Sequence, residues 1–397
     1  MFGENFNFMI AKKICFVGLY NEHNMGDPVI AHCSEWLITG NNKNCEISHV
    51  TLDVPDKILR FSLLYRIEAK IRKILKGNYT QEQFSRKVYS YAVRYFLQQV
   101  KENDIVVLVG GGLIKYKYQF LGVETAALCK ACDIANIPLI INAVGIEGYD
   151  EDNAICRMIE KSLCLPSLKY ISTRDDLDTL KNGYLKHSVS VKCEKVADPA
   201  VWASEAYNIK KNTASKCIGV GIARAGLFKA NDINISGEHI FSLYRLIVLE
   251  LTKRGYEVQL FTNGLLSDNR MAEKLRDSLL VDGFEFSLNV PRNDEELVKI
   301  LSNYKGIVAT RLHSCIISYS LDIPAIGLVW NDKLTFFGNN IGRPENFIKH
   351  SNFEVNYIVD QLERAMKYGY NHEIKNQYRA TIKNSTSQLN KEYLQNE

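Results

Sequence analysis

The feature that most constrains the fold is a regular alternation of short apolar segments with longer amphipathic ones. In the second half of the chain the apolar segments are residues 217–223, 257–262, 284–288, 306–310 and 324–329. In the first half they are residues 12–19, 46–52, 104–109, 138–144 and 169–173. Parallel strands need long crossover connections, which are usually helices, so this alternation predicts a parallel α/β sheet in each half.

The length also indicates two domains, because 397 residues exceed what a single hydrophobic core usually holds. Residues 208–216 are polar and rich in lysine, which is typical of a linker between domains. We therefore expect an N-terminal domain over residues 1–207 and a C-terminal domain over residues 217–350. Residues 351–397 are predicted to form a closing helix, over about 354–370, and a polar tail that we expect to be frayed.

The composition is that of a soluble globular protein, with 46% hydrophobic and 24% charged residues. The net charge of +4 is small and gives no indication of a nucleic-acid partner. No apolar run approaches the roughly 20 residues that a membrane-spanning helix needs. The ten cysteines are scattered, and several fall in apolar patterns, which favours reduced thiols and a cytoplasmic location.

The strand predicted at residues 306–310 leads at once into a helical pattern, which places Arg311 and His313 at the junction. In an open parallel sheet this junction lies at the carboxyl edge, where ligands bind. The arginine fork fits a carboxylate or phosphate, and the imidazole can move a proton near neutral pH. The junction therefore predicts a site for an anionic substrate. The alternative is structural: Arg311 pairs with a nearby acid and His313 caps the helix locally.

Other polar or glycine-containing segments follow the predicted strands of the first half. Asn24, Gly26 and Asp27 follow strand one, where the glycine permits a sharp turn and the aspartate is a good helix cap. Gly111 and Gly112 belong to a glycine triplet after residues 104–109, and such glycines let backbone approach a ligand closely. The two remaining strand ends, after residues 138–144 and 169–173, are followed by Glu147 and Arg174.

Taken together, these pieces resemble the polysaccharide pyruvyl transferase family. The matching segments, in chain order, are residues 24–27, 110–112, 172–175, 198–199, 311–313 and 330–333. The resemblance implies two Rossmann-like domains with parallel sheets that face each other across a cleft, as in GT-B glycosyltransferases. It also implies an enzyme, a ketal-forming pyruvyltransferase of capsule or exopolysaccharide biosynthesis. Phosphoenolpyruvate is then the donor, and the acceptor is a sugar of a cell-surface polysaccharide or its lipid-linked precursor.

The resemblance also implies roles for particular residues. Arg311 and His313 match the element that contacts the donor, with Arg224 as the expected second donor arginine. From the chemistry of an anion clamp and a proton carrier, Arg311 and His313 are also the candidates for catalysis. Lys333 is a further candidate for the donor phosphate, unless it is only a solvated surface lysine. Whether His313 acts as acid or base is left open. We expect no metal and no cofactor, with phosphoenolpyruvate as a co-substrate.

The acceptor side is expected in the N-terminal domain. Candidates for acceptor or cleft contacts are Asp27, Asn24, Gly111, Gly112, Glu147 and Arg174. For Asp27 the alternative is a helix cap, and for Arg174 it is an ion pair with Asp175 or Asp198. Lys115 and Glu147 depart from the common pattern of the family.

Two other classes of function stay open at this stage. A GT-B-type glycosyltransferase that uses a nucleotide sugar would also need cations for a diphosphate, so Arg311 does not separate it from a pyruvyltransferase. A non-catalytic glycan-assembly protein would not need His313. Fold analogy alone cannot distinguish these classes.

Residues 57–76 form the most basic stretch of the chain, with seven basic residues against one acidic residue. Ile67, Ile71 and Ile74 share one face at helical spacing, and most of the basic side chains lie off that face. Such a helix can dock on an anionic membrane surface, which would place the protein at the inner face of the cell membrane. The alternative is an ordinary domain helix with a solvated basic side.

Overall fold

The computed structural model describes residues 12–20, 24–40, 45–54, 81–116 and 121–394. The predicted basic helix over residues 57–76 lies outside the described residues. Contacts divide the chain into two compact units. The first comprises residues up to Tyr20, Leu37–Lys195 and the residues from Thr386 onward; the second comprises the residues between Tyr20 and Leu37 together with Val196–Ser385.

The first unit is built on a six-stranded parallel sheet in the order β2-β1-β3-β5-β7-β8. Its strands are β1 Lys12–Gly18, β2 Cys45–Thr51, β3 Ile105–Val109, β5 Leu139–Val144, β7 Leu168–Thr173 and β8 Lys192–Lys195. Two short strands, β4 Ile114–Lys115 and β6 Ile146–Glu147, pair in parallel just beyond the ends of β3 and β5. Every residue of β3 and β5 is buried, as expected for central strands covered on both faces.

The long helices of the first half are α1 Gly26–Thr39, α2 Gln81–Val100, α3 Leu121–Ala135 and α4 Ala154–Leu163. Helix α1 begins in the second unit and ends in the first. Helix α4 is started by Asn153, whose side chain accepts from the amide of Ile155 at 2.9 Å. A side-chain cap of this kind satisfies one of the free N–H groups of the first turn.

The second unit is built on another six-stranded parallel sheet, in the order β11-β10-β9-β12-β13-β14. Its strands are β9 Cys217–Gly221, β10 Glu257–Phe261, β11 Leu288–Asn289, β12 Gly306–Ala309, β13 Ala325–Val329 and β14 Phe347–Lys349. The chain goes from β9 outward to β10 and β11, and then returns to the other side of β9 with β12. The strand order therefore reverses between β9 and β12.

The long helices of this half are α5 Gly237–Lys253, α6 Leu266–Val281, α7 Asp294–Ser302, α8 Leu312–Ser320, α9 Asp332–Asn340, α10 Val355–Tyr368 and α11 His372–Leu389. The alternation seen in the sequence therefore predicted the fold class correctly, with parallel sheets in two groups. No helix among the described residues is long and apolar enough to cross a membrane.

The compact units do not coincide with the division expected from the sequence. Residues 196–207, expected in the N-terminal domain, belong to the second unit. Their short helical turns contact α8, where the amide of Ser204 donates to Oγ of Ser320 at 2.8 Å. The polar segment 208–216 lies inside the second unit as well, because the amide of Asn212 donates to the carbonyl of Ser302 at 2.9 Å.

The expected frayed tail is replaced by an ordered helix, α11. Ile382 and Leu389, seven residues apart on one face, are buried. Lys375 is only 3% exposed, and its ammonium donates to the carbonyls of Tyr319 and Ser320 at the end of α8. The polar composition of the tail concealed this apolar face, so the prediction of a frayed tail was wrong.

Candidate active site

The two candidate donor arginines lie on either side of the point where the strand order of the second sheet reverses. Arg224 follows β9 and Arg311 follows β12, and these two strands are neighbours. In open parallel sheets, the crevice at such a reversal is where ligands usually bind. The predicted junction of strand and helix at Arg311 is present, because β12 ends at Ala309 and α8 starts at Leu312.

Arg311 pairs with a buried carboxylate, as the structural alternative predicted. Its Nε donates to Oδ2 of Asp268 at 2.7 Å, and Nη2 lies 2.7 Å from the same oxygen. The Asp268 side chain has no exposed surface, and that of Arg311 is 14% exposed. The contact with Asp268 uses the edge of the guanidinium formed by Nε and Nη2. The other edge, formed by Nη1 and Nη2, remains for another group. Nη2 has no partner in hydrogen-bond geometry.

The same carboxylate also fixes the turn that holds Arg224. The amide of Arg224 donates to Oδ1 of Asp268 at 3.0 Å, and Nη1 of Arg224 donates to Oγ of Ser267 at 3.0 Å. Asp268 thus connects the loops after β9 and β12 from its position in the first turn of α6. It holds the two arginines at one edge of the sheet and neutralises one of their two charges.

Four of the long helices that follow strands of this sheet begin without a side-chain cap. They are α6, α8, α9 and α10, whose N-cap residues make no capping hydrogen bond: Leu265, Arg311, Asn331 and Glu354. The N–H groups of such first turns and the partial positive charge of the helix end favour an anion. Nδ2 of Asn263, a residue with 1% exposure in the loop before α6, is also a buried donor that has no partner.

His313, in the first turn of α8, lies against the start of α1. An ideal Cβ placed on Gly26 would be 2.2 Å from Nδ1 of His313. Asn24 and Asp27 therefore belong to the same unit as His313, whereas the sequence placed them in the N-terminal domain. Asp27 is 7% exposed and accepts from Nδ2 of Asn24 at 3.0 Å.

Two aromatic side chains hydrogen-bond to Thr310, the residue before Arg311 at the end of β12. The indole Nε1 of Trp330 donates to the carbonyl of Thr310 at 2.7 Å, and Tyr244 Oη lies 2.6 Å from Oγ1 of Thr310. Cys315 is close to His313 in sequence, but burial raises the pKa of its thiol to about 12. The thiol is therefore neutral near pH 7, which makes it a poor nucleophile. Lys333 lies half-buried in the first turn of α9.

The remaining candidates lie in the first unit, at the carboxyl edge of its own sheet. The carbonyl of Gly111 accepts from the amide of Gly145 at 2.8 Å, so the glycine loop approaches the loop after β5. Gly112, the next residue, is partly exposed. Glu147 is exposed and is the register partner of Lys115 in the β4–β6 pair, so the two departures from the family pattern are neighbours of opposite charge. Arg174 is 7% exposed.

Asp175, next to Arg174, hydrogen-bonds to the chain around it. One oxygen, Oδ1, accepts from the amides of Ile146 and Asp176 at 2.9 and 2.8 Å, and from Oγ1 of Thr173 at 2.9 Å. These bonds tie the loop after β7 to the loop after β5. The structure thus brings Arg224, Arg311, His313, Asn24 and Asp27 into one unit, and it places Gly111, Gly112, Glu147 and Arg174 in the other.

Sequence reasoning missed two residues of the second unit's site, Asp268 and Asn263. Both follow β10, in residues 262–269, which contain five polar side chains directly after the strand. Because β10 neighbours β9 in the sheet, these residues lie at the same edge as Arg224. Polar residues after a predicted strand were the available signal, and they went unused because the strand order was unknown.

The profile of the polysaccharide pyruvyl transferase family matches residues 24–332. The chain belongs to this family, as its motifs suggested, and it is therefore a transferase of polysaccharide biosynthesis. A comparison with curated protein sequences found no match.

Solved structures share the fold. UDP-GlcNAc 2-epimerase from Neisseria meningitidis aligns with a TM-score of 0.57 and 13% identity, covering 97% of this chain and 100% of that chain. The corresponding enzyme from Methanocaldococcus jannaschii gives 0.56 and 11%, with coverage of 96% and 99%. A glycosyltransferase from Rickettsia africae gives 0.50 and 10%, with 97% and 99%. At such identities the likeness shows the fold alone, and it confirms the predicted GT-B-like class.

Proposed function

We propose that this protein transfers the enolpyruvyl-derived group of phosphoenolpyruvate to a sugar of a cell-surface polysaccharide or its lipid-linked precursor, where it forms a pyruvate ketal. The observation that carries the proposal is the pair of arginines fixed by Asp268 beside His313 and the uncapped start of α8. The family supplies the reaction class, and this edge of the second sheet has the groups that a small, highly charged anion requires.

The donor carries a carboxylate and a phosphate close together, which suits two cationic groups at one edge. Arg311 offers its Nη1–Nη2 end to one anionic group, and Arg224 or Lys333 meets the other. Each charge-assisted hydrogen bond contributes about 1.5–3 kcal/mol. The Asp268 carboxylate lowers the net positive charge, so its role is to orient the arginines and not to attract the donor.

The reaction needs a proton at the methylene carbon and two oxygen atoms added at C2. The methylene carbon of phosphoenolpyruvate gains a proton, and a sugar hydroxyl adds at C2. The C–O bond to phosphate breaks, and a second hydroxyl of the sugar closes the ring. The two hydroxyl protons end on the new methyl group and on the phosphate, so atoms and charges balance. Positioning, an acid–base group and anion binding suffice for this sequence.

His313 is the proposed acid–base group, either as donor of the proton to carbon or as acceptor from the sugar hydroxyl. Asn24 and Asp27 lie in the same unit and are proposed to bind the acceptor near the reacting carbon. Gly111, Gly112, Glu147 and Arg174 are proposed to contact the acceptor as well. Phosphoenolpyruvate enters as a co-substrate, and the proposed reaction assigns no role to a metal or cofactor.

The decisive experiment is phosphate release from phosphoenolpyruvate, measured across a panel of synthetic and lipid-linked glycosides. We expect release only with a glycoside that has two hydroxyls able to close a ketal, and a matching gain of mass in that glycoside. A deoxy version of the best acceptor, lacking one of the two hydroxyls, is the matched control. Absence of release with every glycoside would contradict the proposal.

A heat-protection assay distinguishes a nucleotide-sugar donor, such as the UDP-GlcNAc named for the solved epimerases. A ligand that binds only the folded state raises the melting temperature, by an amount that grows with concentration over Kd. We expect protection by phosphoenolpyruvate and little protection by uridine diphosphate. The reverse order would favour a glycosyltransferase. Protection by neither, together with polymer synthesis supported by His313→Ala, would favour an assembly protein.

A lipid-linked acceptor would also give the basic segment 57–76 a role at the cytoplasmic face of the membrane. Each basic residue near an anionic surface contributes about 1 kcal/mol. We expect co-sedimentation with vesicles containing phosphatidylglycerol, and not with neutral vesicles, at low salt. A variant with Lys70, Arg72, Lys73 and Lys76 changed to glutamate should not bind. Binding that persists in this variant would contradict membrane docking.

A further inference from the structure

The first turn of α1 contacts the proposed catalytic histidine through Gly26, a residue without a side chain for binding substrate. Residues 24–27 follow β1 in the chain, yet they pack in the second unit. The amide of Met25 donates to the carbonyl of Asn263 at 2.9 Å, and this bond fixes the backbone next to Gly26. The start of α1 is therefore attached to the same loop that leads into α6.

Gly26 lies directly against the imidazole of His313. Its ideal Cβ would be 2.2 Å from Nδ1, 2.6 Å from Cγ and 2.7 Å from Cβ of His313. Non-bonded heavy atoms normally stay about 3.5–4.0 Å apart. Any side chain at position 26 would therefore displace the ring or the first turn of α1.

Asn263 makes a second connection, to the residue that follows the histidine. Its Oδ1 accepts from Oγ of Ser314 at 2.6 Å, and Ser314 is the residue after His313 in α8. Asn263 has 1% exposure and Ser314 has none. One buried residue thus holds the start of α1 through its carbonyl and the start of α8 through its side chain.

We propose that Gly26 and Asn263 are positioning residues that fix the orientation of the His313 ring. The ring edge with Nδ1 and Cγ faces Gly26, so Nε2, on the far side of the ring, is the nitrogen that exchanges the proton with the substrate. This inference rests on the proposed function for its catalytic consequence. The orientation of the ring is a property of the folded protein and can be tested without substrate.

The matched pair of variants is Gly26→Ala and Gly237→Ala. Both glycines are the first residue of a helix in the second unit, but a Cβ on Gly237 would meet only Cβ of Ala225, at 3.6 Å. We expect Gly26→Ala to lower kcat for phosphate release at least about 100-fold, approaching the loss in His313→Ala, because proton transfer needs the correct geometry. The KM for phosphoenolpyruvate should change less than about 3-fold, since Arg311 is untouched. Gly237→Ala should behave as the wild type.

A double variant shows whether Gly26 acts through His313. In the His313→Ala background, Gly26→Ala should lower kcat by less than about 3-fold more, because the ring that it displaces is gone. An equal loss in both backgrounds, or wild-type turnover of Gly26→Ala, would overturn the proposal.

The ring itself is observed by NMR of protein with 15N-labelled histidine, with the His313→Ala spectrum to assign the signals. We expect Gly26→Ala to change the pH titration of the His313 nitrogens, and Ser314→Ala to change it less. Ser314→Ala only removes a hydroxyl, so it decides the matter if Gly26→Ala does not fold. An unchanged titration in the folded variants refutes the positioning role. A wild type that releases no phosphate refutes the proposed function instead.

Discussion

Both sheets have six parallel strands, but the loops at their carboxyl edges differ in hydrogen bonding. In the first unit the loops after β3 and β5 bond to each other: Gly145 donates to the carbonyl of Gly111 at 2.8 Å, and Ile114 donates to that of Gly145 at 3.2 Å. Asp175 joins the loop after β7 to the same group by accepting from Ile146 at 2.9 Å. At this edge, therefore, several backbone N–H groups of the loops donate to neighbouring loops.

In the second unit the loops after β9, β10 and β12 are joined through one carboxylate, Asp268, and several donors stay available. Helices α6, α8 and α9 begin without side-chain caps. Side-chain caps occur in both units: Ser236 and Asn293 cap α5 and α7 in the second, and Asn153 caps α4 and Asp176 the turn after β7 in the first. The helix starts without side-chain caps that stand beside the two arginines are those of α6 and α8.

The largest expected effect comes from the proton-transfer group of the second unit. We predict that His313→Ala lowers kcat by about 10²–10⁴-fold, because general acid–base catalysis contributes that much. Protection against heat by phosphoenolpyruvate should remain, since the Arg311–Asp268 pair does not depend on the imidazole. The matched control is His187→Ala, a 71% exposed histidine of the first unit, which should keep wild-type turnover. If His313→Ala raised only the donor KM, the residue would serve binding instead.

The next prediction compares two arginines, one at the sheet edge of each unit. We predict that Arg311→Lys lowers kcat/KM for the donor about 10- to 150-fold, which corresponds to the loss of one charge-assisted bond of 1.5–3 kcal/mol. A lysine at position 311 cannot bind Asp268 and the substrate with one planar fork. Arg174→Lys, at the edge of the first unit, should leave heat protection by phosphoenolpyruvate unchanged. If Arg174→Lys abolished that protection and Arg311→Lys did not, the donor would be assigned to the wrong unit.

Much of this comparison could be predicted from the sequence, because the period of apolar residues is a local property. The junction at Arg311 and His313 needs only one strand and the helix after it. Strand 284–288 was predicted as one of the apolar segments, yet only Leu288 and Asn289 pair with β10, at the edge of the sheet. An edge strand has one neighbour, so the apolar pattern there indicates pairing less reliably.

The contact between Gly26 and His313 could not be predicted in this way. The two residues are far apart in sequence, and each already had a sufficient local explanation as a turn glycine and a residue of the first helical turn. Asp268 was likewise hidden, because an aspartate in a first helical turn is stabilising without any partner. The order of strands in the second sheet brings Asp268 and His313 to one edge, whereas Gly26 follows β1 of the first sheet.

The caps provide a smaller and more local comparison. We predict that Asn153→Ala destabilises the first unit by about 1 kcal/mol, because the side chain caps α4. Asn331→Ala should leave the stability of the second unit nearly unchanged, since Asn331 makes no capping bond to α9. Circular dichroism follows both units, and tryptophan fluorescence follows the second, which holds Trp36, Trp202 and Trp330. Equal losses in both variants would show that the helix starts of the two edges do not differ.

The smallest expected effect is on the pH dependence of stability. It tests whether the two units differ in their cores as well as at their sheet edges. Cys129 in the first unit and Cys315 in the second are fully buried, and burial raises the pKa of each thiol to about 12. The unfolded thiol has a pKa of about 8.5, so the folded state keeps a proton that the unfolded state loses, and stability falls as pH rises above that value. Each thiol should cost about 0.8 kcal/mol of unfolding free energy at pH 9 compared with pH 7. We predict that Cys129→Ala and Cys315→Ala each reduce the alkaline loss by this amount, measured by urea unfolding at the two pH values. Unequal reductions would mean that the cores of the two units differ as well as their edges.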